Sequence, residues 1–205
     1  ALGQSFGFVH YRKRLEGPFS DTNLRLVNVN DFAQVWLDGV YLGSRMRDDG
    51  TKPFVISVPA AGAVLDVLVE NCGRINYGPW TGRDYKGIAG SVCVELQIQL
   101  DWEVRSLPLA DLGGLRFGAV CDAGPAFFRA ELELDQTGDS FLVRPGVKGL
   151  VWVNGFNLGR YWNIGPTGTL YIPAPVWKKG RNEIIVLELE KLDRLELQFS
   201  PAPKL

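Results

Sequence analysis

The strongest constraint on this chain is a motif that it carries twice. Residues 151–162 read Val-Trp-Val-Asn-Gly-Phe-Asn-Leu-Gly-Arg-Tyr-Trp, with Asn154-Gly155 set between apolar, alternating flanks. A two-residue hairpin turn needs positive φ at both positions, and Asn followed by Gly tolerates this best, so the segment predicts a β-hairpin. Residues 35–43 read Val-Trp-Leu-Asp-Gly-Val-Tyr-Leu-Gly, and Trp36, Gly39, Leu42 and Gly43 return as Trp152, Gly155, Leu158 and Gly159 at a constant spacing of 116. Tyr11-Arg12 and Phe128-Arg129 stand at comparable points ahead of the two hairpins and extend the repeat. Within 205 residues, this spacing predicts two modules of ordinary domain size.

The remaining pattern is strand-like. Leu65, Val67 and Val69 alternate with Asp66, Leu68 and Glu70, and Ala126, Phe128, Ala130, Leu132 and Leu134 alternate in the same way. Val92, Val94, Leu96, Ile98 and Leu100 alternate with Cys93, Glu95, Gln97 and Gln99 and predict one long half-buried strand. Ile185, Leu187 and Leu189, then Leu195, Leu197 and Phe199, predict the last strands. No window carries a convincing helical period. Short strands between Gly- and Pro-rich turns predict an all-β chain of two consecutive jelly-roll β-sandwich domains, residues 1–115 and 116–205, with 101–121 as the connection.

Composition removes several classes of function. A formal net charge of −1 leaves no basic field for a phosphate backbone, so no nucleic-acid partner is expected. Asp66, Glu70 and Asp101 interrupt the best apolar runs well short of the roughly 20 residues that span a bilayer, so no membrane partner is expected either. The first residue is not Met, which points to a longer precursor. Cys72, Cys93 and Cys121 are odd in number and lack metal-like spacing, which predicts free thiols. Asp48-Asp49-Gly50 lacks the alternating acidic positions of a calcium loop, and no cofactor or metal is expected.

Several longer motifs occur in one order: Glu-Asn-Cys-Gly-Arg-Ile-Asn-Tyr-Gly at 70–78, Lys-Gly-Ile at 86–88, Lys-Gly-Leu running into the second hairpin at 148–162 with Gly165-Pro166, and Val-Leu-Glu-Leu-Glu at 186–190. Together they resemble the C-terminal region of family 35 glycoside hydrolases, the retaining β-galactosidases, over nearly the whole chain. The resemblance implies a pair of galactose-binding-like jelly rolls that follow an N-terminal (β/α)8 barrel carrying both catalytic glutamates. That barrel has no counterpart here, since the chain shows neither the βα alternation nor the roughly 250 residues a barrel takes. Phe128, Ser140 and Val147 replace a usual Tyr, Thr and Trp of the family pattern.

Retaining glycoside hydrolysis needs two carboxyl groups about 5–5.5 Å apart. Glu70, Glu188 and Glu190 lie on strand-like segments, where solvated or salt-bridged roles are expected, and no catalytic residue is assigned. A sugar site wants an aromatic platform beside polar side chains. The glycine-rich segment 71–90 supplies that mixture, with Tyr77 as the first platform, Trp80 as the second, and Arg74 and Asn76 beside them. A long structured loop serves equally to dock against a barrel. Arg160, Tyr161 and Trp162 form a second candidate platform, against the expectation that Trp152 and Trp162 fill or cap a sandwich core with Arg160 stacked or ion-paired. His10, far from any nucleophile motif, is expected in a buried or interface role.

Three functions follow as expectations: an ancillary region of a β-galactosidase, an autonomous module binding galactose-containing glycans, or a structural or oligomerising region.

Overall fold

The computed structural model describes residues 2–118, 124–190, 192 and 194–204. The chain forms two compact units, Ala1–Ala110 and Asp111–Leu205. Cys93 is a free thiol, and Cys121 lies outside the described residues.

The first unit contains β1 (Phe8–Leu15), β2 (Phe19–Leu26), β3 (Val29–Asn30), β4 (Phe32–Leu37), β5 (Val40–Met46) and β6 (Phe54–Val58). Then follow β7 (Ala63–Glu70), β8 (Gly87–Ile88), β9 (Val92–Val94), β10 (Gln97–Ile98) and β11 (Glu103–Leu107). An antiparallel sheet ordered β11-β1-β7-β4-β5 packs on a second ordered β10-β9-β2-β6, and β3 pairs with β8. Between the sheets lies an apolar core. Ala63, Leu65, Val67 and Val69, every second residue of β7, meet Leu24, Leu26, Ile56 and Val94 of the facing sheet.

The second unit contains β12 (Ala126–Leu134), β13 (Ser140–Val143), β14 (Lys148–Val153), β15 (Phe156–Trp162), β16 (Thr169–Ile172), β17 (Gly180–Glu188) and β18 (Phe199–Ser200). Its sheets run β12-β17-β14-β15 and β16-β13-β18. Val151, Val153, Ile184 and Val186 face Leu142 and Ile172 across its core. The chain is thus all-β, a pair of β-sandwiches. Among the described residues the only helical elements are two three-residue 3-10 turns, and no helix is long and apolar enough to cross a membrane.

The repeat reaches the level of single hydrogen bonds. The order β1-β7-β4-β5 recurs as β12-β17-β14-β15. Asp38 and Gly39 have φ of 47° and 77°, and Asn154 and Gly155 have 50° and 82°, so both hairpins close through the predicted turn. Each hairpin carries a bulge at the same step, Val35/Trp36 in one and Val151/Trp152 in the other. In both copies the first turn residue binds the neighbouring strand twice: Asp38 N donates to Val64 O at 2.8 Å and Val64 N to Asp38 Oδ1 at 2.7 Å, while Asn154 N donates to Glu183 O at 2.9 Å and Glu183 N to Asn154 Oδ1 at 3.1 Å.

Two expectations are corrected. The apolar alternation from Val92 to Leu100 is not one strand: Glu95 takes φ of 51°, the chain reverses, and β10 returns along β9 with Gln97 opposite Val94. Asn23 N is bound by Glu95 Oε1 at 2.8 Å and Glu95 N donates to Asn23 O at 2.8 Å, which fixes the reversal and leaves Leu96, Ile98 and Leu100 exposed. The connecting stretch 101–121 contains β11, which extends the first sheet beside β1. Its residues are mostly exposed, so apolar periodicity does not mark it.

Candidate functional site

The 71–90 segment leaves the first unit at the end of β7 and returns at β8. Four charged side chains hold its base. Lys86 Nζ lies 2.8 Å from both oxygens of Asp31 and 2.9 Å from Asp84 Oδ2, while Arg47 bonds the other oxygen of Asp84 and stands 3.5 Å from Asp31. The Arg47 guanidinium, against the opposing effect of burial and with help from Lys86 and the Ile75 amide, holds the Asp84 carboxyl far below the ordinary carboxylate range. Further bonds fasten the flanks: Cys72 N to Asp31 Oδ2 at 2.8 Å, Asn30 Nδ2 to Tyr85 O at 2.8 Å, and Arg74 Nη1 to Asp84 O at 3.0 Å.

On this fixed base the aromatic side chains stand out from the protein. Tyr77 is 90% exposed, Tyr85 73% and Trp80 64%. Asn76 beside Tyr77 is exposed as well. Tight turns shape the tip, with Thr81 Oγ1 donating to Gly78 O at 2.8 Å and Arg83 N to Trp80 O at 3.0 Å. Behind the loop a groove of about 550 Å³ is lined by Phe6, Val9, Tyr11, Asn71, Arg74 and Tyr85. Above these ion pairs the large aromatic rings leave an apolar patch open to solvent.

Removing the clamp tests whether it holds the loop. In Asp84→Ala, Lys86 and Arg47 lose a shared carboxylate and Ile75 N loses its acceptor. Tryptic cleavage after Arg83 is expected to accelerate at least tenfold with the rest of the unit intact, and an unchanged cleavage rate would show that the turns alone order the loop.

The second candidate platform is dispersed by the structure. Tyr161 is 4% exposed within the core, and its hydroxyl lies 3.0 Å from both Leu187 O and Glu188 Oε2. Burial, reinforced by the Glu188 charge, pushes its phenol well above the ordinary range. Its ring is therefore closed to a sugar, because strand alternation turns it inward between Arg160 and Trp162. Trp162, half-buried, lies under the Lys148 ammonium at 4.3 Å from Nζ to ring centre. Trp152 is buried against Phe127 and stands apart from the inter-sheet core.

Two strand glutamates, one in each unit, are buried where solvated or salt-bridged roles were expected. Glu188 is 0% exposed and Glu70 3%. Glu188 accepts hydrogen bonds from the amides of Val147 at 2.9 Å, Lys148 at 3.2 Å and Glu190 at 2.9 Å in addition to the Tyr161 contact. No side chain fits at Gly146, where a Cβ would stand 1.8 Å from Glu188 Oε2. Burial, and then the nearby Arg160 charge, pulls the Lys148 amine down to about 7 against the pull of Glu190 and Glu188. Burial and the Glu188 charge raise the Glu190 carboxyl. Both groups act on the fold rather than on solvent. His10 is likewise bound inside the structure, with Nε2 2.7 Å from Asp66 Oδ1.

Among the described residues no group of three or more His, Cys, Asp or Glu side chains is placed to hold a metal. Sequence spacing did not indicate the clamp, since Lys86 and Asp31 are separated by 55 positions.

Comparison with known families decides the affiliation. Residues 1–108 match the family model described as "Beta-galactosidase, first all-beta domain", and residues 125–182 match "Beta-galactosidase, galactose-binding domain". The chain belongs to the β-galactosidase family. It is 37% identical to a β-galactosidase of Xanthomonas manihotis, with 83% of this chain and 29% of that protein covered. It is 35% identical to β-galactosidase-1-like protein 2 of Homo sapiens (99% of this chain, 32% of that protein) and 34% identical to β-galactosidase 17 of Arabidopsis thaliana (97% and 33%). The chain thus spans about a third of the length of these β-galactosidases. Its two matched regions are the family's β domains, a carbohydrate-related accessory region.

Proposed function

We infer that this chain is the accessory β-sandwich pair of a β-galactosidase, residues 1–115 and 116–205 being its two domains. It supports a (β/α)8 barrel that carries the catalytic carboxylates and performs no hydrolysis by itself. The 71–90 loop contributes to the aglycone side of the galactoside site, with Tyr77 as the stacking platform, Trp80 beside it, and Arg74 and Asn76 as polar contacts. One observation carries this reading: the loop is clamped at its base by Asp31, Lys86, Asp84 and Arg47, yet Tyr77 and Trp80 project with 90% and 64% exposure. A platform that is rigid before the ligand arrives loses little entropy on binding.

Tyr77→Ala in the full-length β-galactosidase is expected to lower kcat/KM for lactose about tenfold with its unfolding temperature unchanged, the loss of one stacked ring. Wild-type kcat/KM in that variant would overturn the role of Tyr77. A second reading, an autonomous module for β-galactosides or galactan, is favoured by the match of residues 125–182 to the galactose-binding model. Calorimetric titration of the 205-residue chain with galactose, lactose and a β-galactan oligosaccharide tests this second reading, which the absence of saturable heat would overturn, whereas the accessory role is tested by the Tyr77→Ala kinetics.

A further inference from the structure

We propose that the first unit carries a second ligand site, for a neutral hydroxyl-rich molecule such as a sugar residue, at the open edge of its sandwich. A cleft of about 440 Å³ is lined there by Lys13, Arg14, Glu16, Phe19, Gln97 and Gln99. This volume lies within the roughly 300–1,000 Å³ of small-ligand sites. β1 joins its two ends: the clamped loop is attached where Asn71 N donates to Gly7 O at 3.1 Å, and Lys13 stands six residues further on, about 20 Å at the usual strand rise. The two sites are therefore separate.

The position of Lys13 is the unusual feature. Tyr11, Lys13 and Leu15 share the face of β1 that turns toward the core, and Tyr11 and Leu15 both pack there. A lysine in this series points into the gap between the sheets, and its residue is only partly exposed. Among the described residues neither Lys13 nor Glu16 enters an ion pair, and the Gln97 amide makes no hydrogen bond. In the second copy of the repeat the same place is taken by Ala130, opposite Ile184 as Lys13 is opposite Leu65, so the fold itself does not require an amine there.

The lining selects a ligand class. Gln99 Nε2 is used on Gln97 O at 3.1 Å and one of the Arg14 donors, Nη2, on Ala61 O, which leaves an ammonium, the rest of a charged guanidinium, a carboxylate, one whole amide and one amide oxygen to line the cleft. Donors and acceptors of both signs side by side suit hydroxyl groups, each of which donates and accepts, and Glu16 opposes a purely anionic ligand.

The test is NMR titration of the 205-residue chain with galactose, lactose and galacturonate, in wild type, Gln97→Ala, Lys13→Met and Tyr77→Ala. Saturable binding of galactose or lactose, weakened at least tenfold in Gln97→Ala and Lys13→Met and unchanged in Tyr77→Ala, is the expected result. The proposal is overturned by absence of saturable binding, by binding that survives both cleft substitutions, or by a tenfold preference for galacturonate. Binding lost in Tyr77→Ala alone also overturns it, while supporting the loop reading. Gln97 is exposed, so its variant tests the cleft even where Lys13→Met perturbs folding.

Discussion

Unfolding of the second unit is expected to become harder by about 4 kcal/mol between pH 7 and pH 10.5, and Lys148→Met is expected to abolish this dependence. Lys148 is 1% exposed, and its amine is pulled from 10.5 to about 7 in the folded chain. Between those values the unfolded chain holds the proton and the folded chain does not. Unfolding therefore takes up a proton, and raising the pH opposes it. Below about pH 7 both states are protonated and the dependence ends. Tyr161 acts in the opposite direction above pH 10, because its phenol stays protonated in the fold after the unfolded chain has released the proton. Stability is thus greatest near pH 10. Urea unfolding midpoints at a series of pH values check this, and a wild-type midpoint that stays level from pH 7 to 10 would overturn it.

The second large effect is expected at Glu188. Its carboxylate gathers the amides of Val147, Lys148 and Glu190 together with the Tyr161 hydroxyl, all in a place that water does not reach. Glu188→Ala takes this acceptor from the three amides, leaves the Tyr161 hydroxyl with Leu187 O alone, and removes the nearby countercharge of Lys148. Loss of such a buried hub costs about 3–5 kcal/mol, which for a unit of this size lowers the unfolding temperature by roughly 12–30 °C. Calorimetry resolves this if the transition of the first unit stays in place. A shift below about 4 °C would mean that water replaces the carboxylate.

The hairpins were legible because their determinants are local: Asn-Gly or Asp-Gly, alternating flanks, and a repeat that aligns both. The strands of the core followed from period two in residues such as Leu65, Val67 and Val69. Leu96, Ile98 and Leu100 misled because alternation records which residues share a face of an extended chain and carries no sign of the reversal at Glu95. β11 gave no signal because an edge strand with exposed residues needs no apolar pattern. The candidate loop was legible from its glycines and aromatic residues, whereas the clamp beneath it depends on Asp31 and Arg47, which only the fold brings near. Tyr161 was placed on a platform with Arg160 and Trp162, but three successive strand residues cannot share one face. Glu188 was read as solvated or salt-bridged because nothing adjacent in sequence announces the amides that enclose it.

The duplicated bulge also bears on solubility. β5 and β15 are both the last strands of their sheets, and each carries the bulge itself, with Leu42 and Leu158 as the extra residues opposite the Val35/Trp36 and Val151/Trp152 steps. An edge strand offers unpaired backbone groups to any passing chain, and it does so best when flat and regular. A bulge increases local twist and breaks the spacing that an incoming strand would have to match. Gly43 and Gly159, with φ of 132° and 104°, interrupt the extended backbone of these strands further. The same hairpin, inherited twice, thus closes both exposed borders to sheet growth, so that a sequence with nearly half its residues in strands can stay unpolymerised along them.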